Sequence, residues 1–171
     1  MAELYQSEGQ RLAELSTAVR ESTLKRLRRV PQNHAHWRPL KDTMSFADVA
    51  YHLLQADRWL DKKLDDPGLL GMTGHTGDAR HVNQDDYEAL LGMLEESGEQ
   101  RAAMLQALSA TELETTMYDD RFNRRVTVWW LVMRGTLDHE IHHRGQIAVY
   151  LRLLQTELGP AGLPLRSIAY P

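Results

Sequence analysis

Apolar residues recur at three- and four-residue spacing in four long stretches of the chain, which is the pattern of amphipathic helices. No stretch alternates apolar and polar residues for long enough to predict a half-buried strand. Segments rich in Pro, Gly, Asn and Asp separate the four stretches and favour turns. At 171 residues the chain has the length of one domain. We therefore predict a single all-α domain over residues 1–171.

Start and stop signals give approximate bounds for the predicted helices. The second helix has the clearest start, because Ser45 can act as its N-cap and Asp48 lies where a capping box is completed. The four helices are predicted from Glu3 to Arg28, from Phe46 to Leu64, from an N-cap at Asn83 to Ala110, and from an N-cap at Thr127 to Leu158. Gly159 and Pro160 are expected to end the last helix. The polar stretch from Thr111 to Val126 is predicted to be a loop with some extended pieces.

The connection between helices two and three sets the predicted arrangement of the bundle. It contains four glycines between Gly68 and Gly77 and is longer than the loops that usually join adjacent antiparallel helices. A long crossover makes the two middle helices parallel. We therefore predict a four-helix bundle in up-down-down-up order.

Composition excludes several classes of protein. The net charge of -4 opposes binding to nucleic acid, and the longest apolar run is far too short to span a membrane. With no cysteine, the chain has no thiol nucleophile and no thiolate ligand for a metal. The first ten residues lack a basic segment followed by an apolar run, so we expect no secretory signal and a cytoplasmic protein.

The predicted fourth helix carries two histidines at metal-ligand spacing. His139 and His143 lie about 40° apart around the helix axis and about 6 Å apart along it, so both rings can reach one ion. The residues within about 40° of His139 are those of the predicted buried stripe, namely Val132, Gly135, Gln146, Tyr150 and Leu153. Buried imidazoles need partners, which a metal ion can supply. Hydrogen bonds to neighbouring residues are the alternative explanation.

A metal site needs a third protein ligand, and His52 is our prediction for it. It lies on the flank of the apolar stripe of helix two, with Ala56 and Trp59, where it can face helix four. His142 points about 100° away from His143. The remaining histidines fall in predicted loops, which position ligands less well, and they are His34, His36, His75 and His81.

Two segments carry a resemblance to a known family. Residues 45–54 (SFADVAYHLL) and 139–152 (HEIHHRGQIAVYLR) resemble the ligand segments on helices two and four of the DinB/YfiT-like superfamily of metalloproteins. The resemblance implies that His52, His139 and His143 bind one divalent ion with positions left open for water or a ligand. Relatives are often homodimeric, and some resemble thiol-S-transferases whereas others resemble maleylpyruvate isomerases.

Two functions follow from this site. The first is a metal-dependent enzyme, a hydrolase or thiol-S-transferase, in which the ion activates water or a low-molecular-weight thiol. Zinc is the first candidate, and nickel, iron and manganese also accept nitrogen ligands. The second is a non-catalytic binding or structural bundle whose histidines hold helices together with or without metal. Glu140 is a candidate base or supporting residue, and Asp138 and Gln146 are candidates to orient the ligand rings.

Overall fold

The computed structural model describes residues 6–70 and 84–159, which are mostly helical, as predicted. The helices are α1 (Glu8–Leu27), α2 (Phe46–Asp65), α3 (Gln84–Ala107), α4 (Ala110–Glu114), α5 (Val128–Val132) and α6 (Asp138–Leu158). Two short strands, β1 (Thr116–Asp119) and β2 (Arg124–Thr127), precede α5. Among the described residues, none of the helices combines the length and hydropathy that crossing a bilayer requires.

Side-chain caps decide where the helices begin. Ser45 forms the predicted capping box with Asp48, and Thr127 caps α5 through the Trp130 amide. The predicted start of helix one at Glu3 is wrong, because Ser7 forms a capping box with Gln10 and the helix begins at Glu8. The predicted N-cap Asn83, the glycines from Gly71 to Gly77, and Pro160 lie outside the described residues.

The stretch after α3 is more regular than the predicted loop. Helix three ends at Ala107 instead of Ala110, because Ser109 caps a new short helix, α4. Strands β1 and β2 then pair antiparallel as a hairpin, with Thr116 opposite Thr127 and Asp119 opposite Arg124. Each strand has only four residues, too few for an alternating pattern to show in the sequence.

The predicted fourth helix contains a turn of different geometry. After α5, residues Met133–Leu137 form a π-helical turn, and the Asp138 amide donates to the Met133 carbonyl five residues back. The chain then continues as α6, whose first turn has no side-chain cap because Leu137 before it is itself helical. Single π-helical turns inside α-helices are frequent at functional sites.

The core is formed by α1, α2, α3 and the helix that contains α5 and α6. One cluster surrounds Phe46, Leu91 and Leu151, and a second surrounds Trp59 and Leu131 next to the hairpin. One position of the predicted buried stripe is wrong, because Leu153 is 46% exposed. It lies at the edge of the stripe, where a small rotation of the helix turns the side chain into solvent.

Candidate metal centre

Three histidine rings from two helices meet at one point. The Nε2 atom of His139 lies 2.9 Å from that of His52 and 3.0 Å from that of His143. The ring centroids are 4.6 to 4.9 Å apart, and each pair of rings meets edge to face. His52 comes from α2, whereas His139 and His143 come from successive turns of α6. Across the described residues, these three side chains form a group that could hold a metal ion.

Local helix geometry explains why these rings point at one another. His139 and His143 lie four residues apart, so they share one face of α6. On α2 the capping box at Ser45 fixes the first turn, and His52 follows at the edge of a face whose members Ala56 and Trp59 are buried. Because that face packs inside the bundle, His52 is directed towards α6.

The environment keeps the rings of His139 and His143 neutral. Burial lowers the pKa of His139 to about 3, and the neighbouring rings of His143 and His52 and the charge of Arg121 add to this effect. Burial also lowers the pKa of His143, although the hydrogen bond to Gln146 acts in the opposite direction. Neutral imidazole is the form that binds metal, because only then does a ring nitrogen carry a free lone pair.

A hydrogen-bonded chain fixes which nitrogen of His143 faces the centre. Its Nδ1 atom lies 2.8 Å from Gln146 Oε1, and because an amide oxygen only accepts, Nδ1 carries the proton. The Nε2 atom is therefore the one with the lone pair. Gln146 Nε2 in turn donates to the Tyr150 hydroxyl at 2.6 Å. Metal-binding histidines are commonly oriented by this kind of hydrogen bond at the second ring nitrogen.

These donors fit a divalent ion. Two nitrogens that each lie about 2.0–2.1 Å from one ion are about 3 Å apart, which agrees with the two Nε2 separations. Hydrogen bonds explain the contacts less well, since His139 Nε2 is either a donor or an acceptor and cannot make a good bond to both neighbours. Within residues 6–70 and 84–159, no fourth His, Asp or Glu joins the group.

Glu140 lies beside the histidines in sequence but its carboxylate is directed into a different cluster. It accepts from Arg20 Nε at 2.8 Å and Arg20 Nη2 at 2.9 Å, and Arg101 Nη1 lies 2.9 Å away. Both arginines also pair with Asp57, at 2.8 and 2.7 Å. We call Arg20, Asp57, Arg101 and Glu140 the buried charge cluster. All four residues are at most 6% exposed.

The charge cluster removes Glu140 from the list of candidate bases. Burial alone would raise the pKa of Glu140, but the charges of Arg101 and Arg20 outweigh it and lower the pKa to about 2. A carboxylate held this strongly by two cations is a poor proton acceptor. The sequence does contain a signal for the cluster, since Arg20, Asp57 and Arg101 each lie four residues from a buried residue of their own helix.

The other candidates lie elsewhere. Asp138, predicted to orient a ligand ring, instead pairs with Arg134 at 2.5 Å on the surface. His142 is exposed, and His34 contacts the Gln32 carbonyl in its own loop. His75 and His81 lie outside the described residues. A groove of 660 Å³ between α1 and α3 contains none of the three converging histidines.

Comparison with known proteins agrees with this fold. The model that describes the DinB family matches residues 5–162. A crystal structure of a DinB-like protein from Bacillus subtilis is similar, with a TM-score of 0.63 and 21% sequence identity. The similarity covers 94% of this chain and 99% of that chain. No curated protein matches the chain at a significant level.

Proposed function

The chain belongs to the DinB family, and from this premise we propose that His52, His139 and His143 bind one divalent metal ion that serves a small-molecule reaction. The observation that carries the proposal is the convergence of three Nε2 atoms, two of them at 2.9 and 3.0 Å from the third. Three imidazoles are the protein ligand set of several catalytic zinc sites, which keep one position open for water or substrate. Zinc is our first candidate, with nickel, iron and manganese as alternatives.

The ligand count favours a reactive site over a closed structural one. Structural zinc sites have four protein ligands, and within the described residues this group has three. The buried charge cluster also joins α1, α2, α3 and α6 directly. The helices therefore have contacts of their own besides the histidines, whereas a structural bundle would depend on the histidines to hold α2 against α6.

The residues around the centre have distinct roles in this proposal. A bound divalent ion supplies Lewis acidity, which lowers the pKa of water or a thiol at neutral pH. Gln146 holds the proton of His143 on Nδ1, and Tyr150 accepts from Gln146 and keeps that amide in place. His52 and His139 are half-buried, so they are not sealed from solvent. This arrangement suits a hydrolase or thiol-S-transferase that acts on a small molecule.

Metal analysis of matched variants tests the proposal. We expect about one divalent ion per chain after dialysis of the purified protein, and loss of that ion in His52→Ala, His139→Ala and His143→Ala. The exposed neighbour His142→Ala is the control and should keep its ion. Circular dichroism establishes that each variant is folded. Equal metal content in all five proteins would refute the site.

The rest of the proposal concerns assembly and reaction. We expect an up-down-down-up bundle that forms a homodimer in the cytoplasm, and light scattering measures the dimer mass.

Reconstituted protein is incubated with an electrophilic ester, with and without a low-molecular-weight thiol. Product that requires the thiol indicates transfer, whereas product without it indicates hydrolysis.

A further inference from the structure

The hairpin between α4 and α5 directs one arginine towards the metal centre. Arg121 lies in the turn between β1 and β2, and its guanidinium carbon is 4.1 Å from the centroid of the Trp59 ring. Trp59 follows His52 by two turns of α2. The guanidinium therefore stacks on a side chain of α2, the helix that carries His52.

A glycine on the opposite helix makes room for this arginine. A Cβ atom placed on Gly135 would lie 2.6 Å from Arg121 Nη2, which is closer than any real contact. Gly135 belongs to the π-helical turn and precedes His139 by four residues, or about 6 Å along the helix. The guanidinium thus lies against the backbone within about one turn of a proposed metal ligand, and its charge contributes to the low pKa of His139.

Asp119 holds Arg121 in place but accepts hydrogen bonds from only two of its three side-chain nitrogens. The Asp119 carboxylate is 0% exposed and accepts from Arg121 Nε at 3.0 Å and from Nη2 at 2.7 Å. The Arg121 backbone amide also donates to it at 3.1 Å. In the part of the chain that the structure describes, no hydrogen bond involves Arg121 Nη1. The side chain is 24% exposed, so a ligand from solvent can reach it.

We propose that Arg121 binds a carboxylate of the small molecule that occupies the metal centre. This inference rests on the proposed function and adds the class of its substrate. A fixed guanidinium with unused N–H groups is well suited to hydrogen bond a carboxylate. Gly135 lies about 6 Å of helix rise before His139, a separation that a small molecule with one to three methylene groups between its thiol and its carboxylate can span.

Electrostatics distinguishes carboxylate binding by Arg121 from a purely structural role at the metal site. Arg121 is a cation whose repulsion of a divalent ion is only partly offset by its Asp119 partner, so it brings no benefit to the metal site alone. A bound anion offsets that repulsion. Removing the guanidinium should therefore leave metal affinity equal or higher, while the affinity for an anionic ligand falls.

Calorimetric titration of the zinc-loaded protein tests the inference. The probes are mercaptoacetate, 3-mercaptopropionate and 4-mercaptobutyrate, each compared with its uncharged amide. We expect at least one acid to bind about ten-fold more tightly than its amide, as a charge-assisted hydrogen bond provides. Arg121→Met should abolish that ratio without weakening zinc binding, and Arg121→Lys should keep part of it.

Two further variants control for loss of structure. Gly135→Ala keeps every charge but displaces the flexible end of Arg121, and it should also abolish the acid preference. Arg124→Met removes a charge from the same hairpin, where Arg124 lies 4.6 Å from the Trp130 ring centroid, and should leave the preference intact. An unchanged ratio in Arg121→Met, or zinc-loaded wild type without any acid preference, overturns the inference. Failure to bind zinc, nickel, iron and manganese alike overturns the proposed function instead.

Discussion

Replacing Glu140 with glutamine should strongly destabilise the protein. The substitution removes one of two negative charges from the buried charge cluster and leaves Arg20 and Arg101 facing Asp57 alone. Breaking a buried ion pair by removing one partner costs about 3–5 kcal/mol, because the remaining charge has no compensation. A domain is stable by about 5–15 kcal/mol, so this is a large share.

Urea unfolding followed by circular dichroism measures this loss. For a chain of this size we also expect the thermal midpoint to fall by about 6–20 °C. Glu99→Gln, an exposed substitution of the same kind on α3, should change stability by less than about 0.5 kcal/mol. Arg101→Met combined with Glu140→Gln restores neutrality, so the double variant should be less destabilised than the sum of the two single variants.

Acid should remove the stabilisation that the Glu140 carboxylate gives to the wild-type protein. The unfolded Glu140 carboxyl takes up a proton near its ordinary pKa of 4.5, whereas the folded one stays charged to about pH 2. Its stabilisation is therefore present above pH 4.5 and lost as the pH falls towards 2. Our assignment is refuted if the free energy of unfolding of Glu140→Gln lies within about 1 kcal/mol of the wild-type value at pH 7.

Four other predictions concern the site and the helices. The metal-free protein should lose stability as the pH falls from 6.5 towards 3, because His139 takes up a proton more readily when unfolded. Urea titrations should show a smaller loss for His139→Gln. Gln146→Leu should weaken metal binding about 10- to 100-fold by calorimetry, and equal affinity would contradict its orienting role. Gly9→Ala should destabilise by about 1–3 kcal/mol because its Cβ would meet two carbonyl oxygens at 2.6 and 2.7 Å. Gly92→Ala, which meets nothing within 4 Å, should instead stabilise by up to about 1 kcal/mol.

Local rules in the sequence predicted part of the candidate metal centre. The capping box of Ser45 and Asp48 fixes the start of α2, and four-residue spacing puts His139 and His143 on one face of α6. Both depend only on residues within one or two helical turns. The mostly helical class was predictable for the same reason, since periodicity is a local property.

Contacts between distant segments were decided by the tertiary structure alone. The motif that contains Glu140 suggests a base near the metal, yet its partners Arg20 and Arg101 lie on other helices and turn it into a buried ion pair. Arg121 stands in a stretch that the sequence indicates as a loop, and its position depends on hairpin register and on the space at Gly135. Helix periodicity says which side of a helix faces inwards. Which charged group it meets there depends on how several helices pack, because that contact joins residues up to 120 positions apart.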